Sequence, residues 1–267
     1  MHPVEITRGD SPVILGQPHG GTRLPAGVAE RLNATGRELA DTDWHIGRLY
    51  DGLLPGATIV RATFHRYLID ANRDPAGTSL YPGQNTTALC PTTDFDGRPI
   101  WVEGGEPDID EIATRRDAFH APYHTALEAE VRRVKARHGV AVVFDCHSIR
   151  SEIPFLFPGM LPVFNIGTNG GETCSAAMTE AVLAVCDGSG FSTVLNGRFR
   201  GGWTTRHYGQ PGEGVHAIQI EIAQRAYLSA ESHPWAFDAG RAGELRAVLA
   251  PILAAIDRLA RSGALTV

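Results

Sequence analysis

Two histidines and an aspartate, far apart in the chain, are of the types that together hold a divalent metal over an amide bond. His19 lies in Gln17-Pro18-His19-Gly20-Gly21, Asp43 in Asp41-Thr42-Asp43-Trp44, and His147 near the end of Val140–Ser148. Two neutral imidazoles and a carboxylate suit a catalytic Zn²⁺ that keeps one position open for water. Such an ion lowers the pKa of its water to about 7 and polarises a carbonyl oxygen. Glu221, near the end of Val215–Ile222, is the candidate to accept the proton of that water and pass it to a leaving amine. Spacing leaves Asp41 and Asp43 as alternatives, because both stand near one helix start and either would serve as its cap. Asp145 precedes His147 by two positions, so in a strand both face one side, and Asp145 could orient the ring.

Charged groups that could read a substrate follow the same strand ends. Arg73 follows an apolar segment in Asn72-Arg73, Arg150 follows the His147 strand, and Arg206 adjoins His207. A guanidinium fork holds a carboxylate bidentately, so several of them beside a metal imply a small acidic substrate. His207, or an arginine near it, is a candidate donor to the oxyanion. His120 and His124 are four apart on a helix but lack the glutamate of a His-Glu-x-x-His site, which favours packing for them. Ser148 is not framed as Gly-x-Ser-x-Gly, and Cys146 reads as a packed thiol. No complete dinucleotide or phosphate-binding fingerprint is present.

These residues need a scaffold, and the hydrophobic pattern describes one. Val140–Ser148 is a continuous apolar run ending in Asp-Cys-His, the mark of a central strand covered on both faces. The carboxyl end of such a strand is where open α/β sheets bind ligands. In Val215–Ile222, Ile218, Ile220 and Ile222 alternate with Gln219 and Glu221, so the two polar side chains share a face. Strands are expected at Val13–Gly16, Thr58–Ala62 and Tyr67–Ala71. Helices are expected at Asp41–Leu54, Asp108–His138 (divided at Pro122), Cys174–Asp187 and Asp238–Leu259. Right-handed returns between parallel strands make this a three-layer α/β/α sandwich with a mixed, mostly parallel sheet. We read residues 1–267 as one metallohydrolase domain, with 76–107 a long active-site-loop candidate.

Bulk properties narrow the partners. The chain of 267 residues carries a net charge of −6 and has no long Lys/Arg tract, which argues against a nucleic-acid footprint. Four cysteines without paired spacing, no apolar signal core and no membrane-length apolar span point to a soluble, cytoplasmic protein.

Taken in order, several stretches resemble the N-formylglutamate amidohydrolase (deformylase) family. They are Pro18-His19-Gly20-Gly21, Thr42-Asp43-Trp44 with Gly47-Arg48-Leu49-Tyr50, Ile69-Asp70-Ala71-Asn72-Arg73, Phe144-Asp145-Cys146-His147-Ser148, Tyr123-His124, Gly202–Gly209 and Ile218–Ile222. The resemblance runs from about Ser11 to Tyr227. It implies a fold related to zinc-dependent exopeptidases, with His19, Asp43 and His147 as ligands and Glu221 as general acid/base. The implied reaction converts N-formyl-L-glutamate and water to formate and L-glutamate, the last step in one route of histidine degradation. It also implies a single Zn²⁺, with Co²⁺ or Mn²⁺ as substitutes, and contacts from Asn72, Arg73 and Arg206 to the substrate. Family members often continue the second motif with Met-Pro, where this chain has Ile149-Arg150, so Arg150 joins the expected substrate contacts. The rival readings are a deacylase for another N-acyl acidic amino acid, a carboxypeptidase-like enzyme, and a non-enzymatic binder of acidic metabolites.

Overall fold

A strand whose side chains are apolar on both sides must be covered on both sides, and the central strands of this chain are. The computed structural model describes residues 1–80 and 82–265. Tyr81, inside the expected loop, and residues 266–267, at the end of the expected domain, lie outside the described residues. The chain begins with β1 (Val4–Thr7), β2 (Val13–Gln17), α1 (Ala26–Ala29), α2 (Ala34–Arg37), α3 (Ile46–Tyr50) and β3 (Thr58–Ala62). After a long loop come α4 (Ile109–Arg115), a π-helical turn over Arg116–His120, α5 (Ala121–His138) and β4 (Ala141–Ile149). The chain continues through β5 (Phe164–Gly167), α6 (Ala176–Asp187), β6 (Thr193–Leu195), α7 (Trp203–Tyr208), β7 (Val215–Ala223) and α8 (Ala239–Arg261).

The strands form a seven-stranded sheet in the order β1-β3-β2-β4-β7-β5-β6. Strands β3, β2, β4 and β7 run parallel, while β1 and β5 pair antiparallel with β3 and β7. Period-2 alternation divides the side chains between two cores. Val13, Leu15, Val142, Phe144, Ile218 and Ile220 pack with Leu49 of α3, Val182 of α6 and Leu249 of α8. Ile14, Val143 and Ala217 pack on the other face with Tyr123, Leu127 and Val131 of α5. The fold is therefore the mixed, mostly parallel three-layer α/β/α sandwich expected.

Some local expectations are not met. Tyr67–Ala71 is buried but is not a strand, because its backbone is satisfied in turns. Leu68 N–H donates to His65 O (3.0 Å), Asp70 N–H to Leu89 O (2.7 Å) and Arg73 N–H to Asp70 O (3.2 Å). An apolar run reports burial, and here burial comes without a sheet neighbour. The helix expected over Asp41–Leu54 is only α3, since His45 before it adopts a left-handed conformation with φ 58°. Edge strand β1, short and mostly exposed, was not anticipated at all. Among the described residues, 76–107 contains no helix or extended strand, only turns and isolated bridges, and no helix is long and apolar enough to cross a membrane.

Candidate active site

Parallel strands β3, β2, β4 and β7 deliver polar residues to one edge of the sheet. His19 follows β2 by two residues, Asp145 and His147 belong to β4, and Gln219 and Glu221 belong to β7. In the β4–β7 register Asp145 stands beside Gln219 and His147 beside Glu221. The turns after β3 contribute Arg66, Asp70, Asn72 and Arg73, and the turn before α3 contributes Asp43. Gly21 allows the His19 loop to approach that segment, because a Cβ there would meet the Thr63 carbonyl carbon at 2.4 Å.

The expected ligands come together. His19 Nδ1 lies 3.2 Å from His147 Nδ1, and Asp43 Oδ2 lies 3.9 and 3.3 Å from those two nitrogens. All three side chains are buried. The corners of a tetrahedral site with metal–ligand bonds of about 2.0–2.1 Å are roughly 3.3 Å apart, which two sides of the triangle match while the His19–Asp43 side, at 3.9 Å, is longer. The outer nitrogens face carboxylates, His19 Nε2 at 2.7 Å from Asp70 Oδ1 and His147 Nε2 at 3.0 Å from Asp145 Oδ1. Carboxylates so placed fix the tautomer that turns Nδ1 toward an ion. Asn72 Nδ2 lies 3.1 Å from the same His147 nitrogen, and Ser148 N–H donates to Asp43 Oδ2 at 3.1 Å.

Electrostatics make the same case. Asp43, Asp70, Asp145 and Glu221 are all buried, with Arg66 the buried cation among them and Arg73 at the margin. Burial pushes Asp43 and Asp70 upward, but His147, His19, Arg66 and (for Asp70) Arg73 outweigh it and hold both carboxyls low. Burial lowers His19 to about 4, aided by Arg66. Burial also opposes a charge on His147, yet Asp145, Asp43 and Glu221 overcome it and drive that pKa well above the usual range. A pocket that forces a proton onto a ligand histidine is short of positive charge, and the donor set fits a divalent cation. Burial, reinforced by Asp43, pushes Glu221 up to about 7 against the pull of His147 and Arg66. Cys146 is a quiet thiol, its pKa raised by burial and by Asp145.

One cavity is lined by His19, His147, Glu221, Asn72 and Arg73, together with Asn85, Thr86, Thr87 and Phe95 from the long loop. Arg66, Arg198 and Gln219 also line it, and the reading from sequence passed over all three as site residues. Arg66 stacks on Phe95 at 4.9 Å, contacts His19 Nδ1 through Nη2, and has no hydrogen-bond partner for Nε among the described residues. The available signal was an arginine set among the apolar residues Phe64, Tyr67, Leu68 and Ile69 just past β3. Other expected contacts are placed elsewhere. Arg150 pairs with Asp96 at 3.0 Å and reaches Asp41 at 3.8 Å. Arg206 donates to Gly201 O and, at 3.5 Å, to Leu80 O. His207 is exposed and stacks on Trp203 at 4.2 Å, away from the cavity lining. Asp41, the alternative ligand, accepts from Tyr67 Oη and Phe95 N–H, both at 2.9 Å, so it holds the long loop in place.

His120 and His124 are packed, as expected, but with a specific consequence. His124 Nε2 meets Ala71 O at 2.7 Å and His120 Nε2 meets Arg73 O at 3.0 Å, clamping the turn that carries Asp70, Asn72 and Arg73. Burial, helped by His120, holds His124 neutral, down to about 3, so Nε2 donates its proton to the carbonyl. His124→Leu leaves that buried carbonyl without its partner, a cost of about 1–3 kcal/mol. The expected result is a melting temperature lower by about 2–10 °C. An unchanged thermal midpoint would exclude the clamp.

A family model described as N-formylglutamate amidohydrolase matches residues 11–228. The sequence is 45% identical over 252 residues to the N-formylglutamate deformylase of Pseudomonas aeruginosa, covering 94% of each chain. It is 41% identical over 251 residues to that of Pseudomonas putida, covering 93% of each. The structure is similar to the crystal structure of N-formylglutamate amidohydrolase from Ralstonia eutropha JMP134, with a TM-score of 0.81 and 25% identity over 98% of this chain and 100% of that one.

Proposed function

Since the chain belongs to the N-formylglutamate amidohydrolase family, we propose that it hydrolyses N-formyl-L-glutamate to formate and L-glutamate at a metal centre held by His19, Asp43 and His147. The observation that carries this reading is the triangle of His19, Asp43 and His147, with sides of 3.2, 3.3 and 3.9 Å, whose two histidines line one cavity with Glu221. The chemistry that a bound Zn²⁺ supplies there, or Co²⁺ or Mn²⁺ on the same N/O donors, is Lewis-acid activation of water and of the formyl oxygen.

The chain's own groups do the rest. Glu221 takes the proton of the attacking water as its oxygen bonds to the formyl carbon. The carboxyl then delivers that proton to nitrogen as the C–N bond breaks, leaving formate and the free amine. A carboxyl held near 7 by burial can exchange a proton in both directions at neutral pH. Arg66 donates to the acyl oxygen as charge gathers on it, the role expected from sequence of His207 or an arginine near it. Arg73 and Arg198, which both line the cavity, hold the two carboxylates of the substrate. Arg150 and Arg206 lie outside that cavity lining, whereas Asn72 lines it and also meets His147.

Release of the free amino group measured on N-formylglutamate, N-formylaspartate, N-acetylglutamate and a glutamyl dipeptide, with formate quantified for the two formyl substrates, tests the reading. N-formylglutamate should give the highest kcat/KM, and a clear preference for any of the others would assign the chain to a different deacylase or peptidase. Binding of the substrate without any product would make it a metabolite-binding protein. Arg198→Ala should raise KM by about tenfold or more, with kcat changed far less, because a charged hydrogen-bonding partner of the substrate is lost. An unchanged KM would remove Arg198 from the binding site.

A further inference from the structure

Glu221 can move a proton efficiently only if one of its oxygens is held toward the water, and the neighbouring strand position supplies the means. Gln219 stands two residues earlier on β7, on the same face, and is almost fully buried. Its Nε2 donates to Glu221 Oε2 at 3.1 Å, while its Oε1 accepts from Gly202 N–H at 2.7 Å. Among the described residues no other hydrogen bond to the Glu221 side chain is formed.

Gly202 N–H makes this arrangement one-way. A backbone N–H can only donate, so the amide oxygen must face it and the amide nitrogen must face Glu221. Flipping the amide would set two donors together at Gly202 and two acceptors together at Glu221. A side chain at position 202 would also be excluded, since a Cβ there would meet Asn72 Nδ2 at 2.3 Å. The same turn holds the partners of His147. Thr204 N–H donates to Asn72 Oδ1 at 2.8 Å, and Thr205 Oγ1 donates to Asp145 Oδ2 at 3.0 Å.

We infer that Gln219 is a positioning residue for the proton transfer: it occupies Oε2 of Glu221 and thereby presents Oε1 to the attacking water. The inference rests on the general-base role given to Glu221 above. Through it, the backbone of Gly202 sets the orientation of a carboxylate that it does not touch.

Two substitutions separate this role from a structural one. Gln219→Met keeps the size and loses both hydrogen bonds. Gln219→Glu keeps an acceptor for Gly202 N–H but replaces the donor with a second negative group. Both should lower kcat by about ten- to hundredfold with little change in KM, and Gln219→Glu should be the worse of the two although it preserves the bond to Gly202. An activity-free readout is the ¹³C carboxyl titration of Glu221 in the metal-free protein, assigned by the signal missing from Glu221→Gln. In Gln219→Met its midpoint should rise by about one pH unit, because a hydrogen bond to the charged form is gone. Parental kcat and an unshifted midpoint in both variants would overturn the role of Gln219 while leaving Glu221 as the base. Turnover that survives Glu221→Gln would overturn the base assignment and the role of Gln219 with it.

Discussion

Glu221→Gln should reduce deformylase turnover by about 10²–10⁴-fold while leaving the fold and the metal content unchanged. The glutamine is nearly the same size and can still face Gln219, but it has no basic oxygen for the proton of water. The pH dependence identifies the group. Burial raises Glu221 to about 7, whereas a bound cation would pull it down again, so the acid limb of kcat/KM should lie at or below that value. The carboxylate is the active form, so activity falls as the pH drops through the limb and is full above it. The residual activity of Glu221→Gln should lack that limb. Near-parental turnover at neutral pH would end the assignment.

Removing the metal should be as damaging. Chelation is expected to take turnover to background, and Zn²⁺, Co²⁺ or Mn²⁺ should restore it in a protein that stays folded. His147→Ala and His19→Ala should lose the ion and the activity together, since two ligands remain where three converge. Without an ion the surrounding carboxylates drive the His147 pKa well above its usual range, so binding must expel a proton. Apparent metal affinity should therefore strengthen as the pH rises, and calorimetry should record proton release. At an ion concentration one hundred times Kd the native state gains about 2.7 kcal/mol, visible as a higher unfolding temperature. Full turnover after exhaustive chelation, or a metal content well below one ion per chain in active protein, would refute the centre.

The strands and their polarity were legible because a strand repeats every two residues and leaves a local record. Val140–Ser148 was readable as a central strand with His147 at its carboxyl end, and Val215–Ile222 as an alternating segment with Gln219 and Glu221 on one face; the fold pairs the two strands in register. Side-chain type then offered His19, after another strand, and either Asp41 or Asp43, near a helix start, as partners, and the family resemblance favoured Asp43. Turns leave a weaker record. Tyr67–Ala71 looked like a strand because it is buried, yet hydrogen bonds to His65, Asp70 and Leu89, some distant in sequence, made it a set of turns. A single left-handed residue, His45, shortened the helix after Asp43 to α3.

The choice among neighbouring polar residues shows the boundary most clearly. Asp41 and Asp43 are equivalent in type and only two positions apart. Asp43 meets the histidines and Ser148, whereas Asp41 takes Tyr67 and Phe95 as its partners. Likewise Arg66 and Arg198 line the cavity, while Arg150 and Arg206 do not. Sequence alone determined the sheet and offered the residues proposed as ligands and base, because side-chain chemistry and strand periodicity are local, while the choice of Asp43 over Asp41 rested on the family resemblance. Tertiary structure decided which arginines line the cavity and which oxygen of Glu221 accepts from Gln219. Those depend on groups such as Gly202 and Phe95, which are far away in the chain and neighbours only in the folded protein.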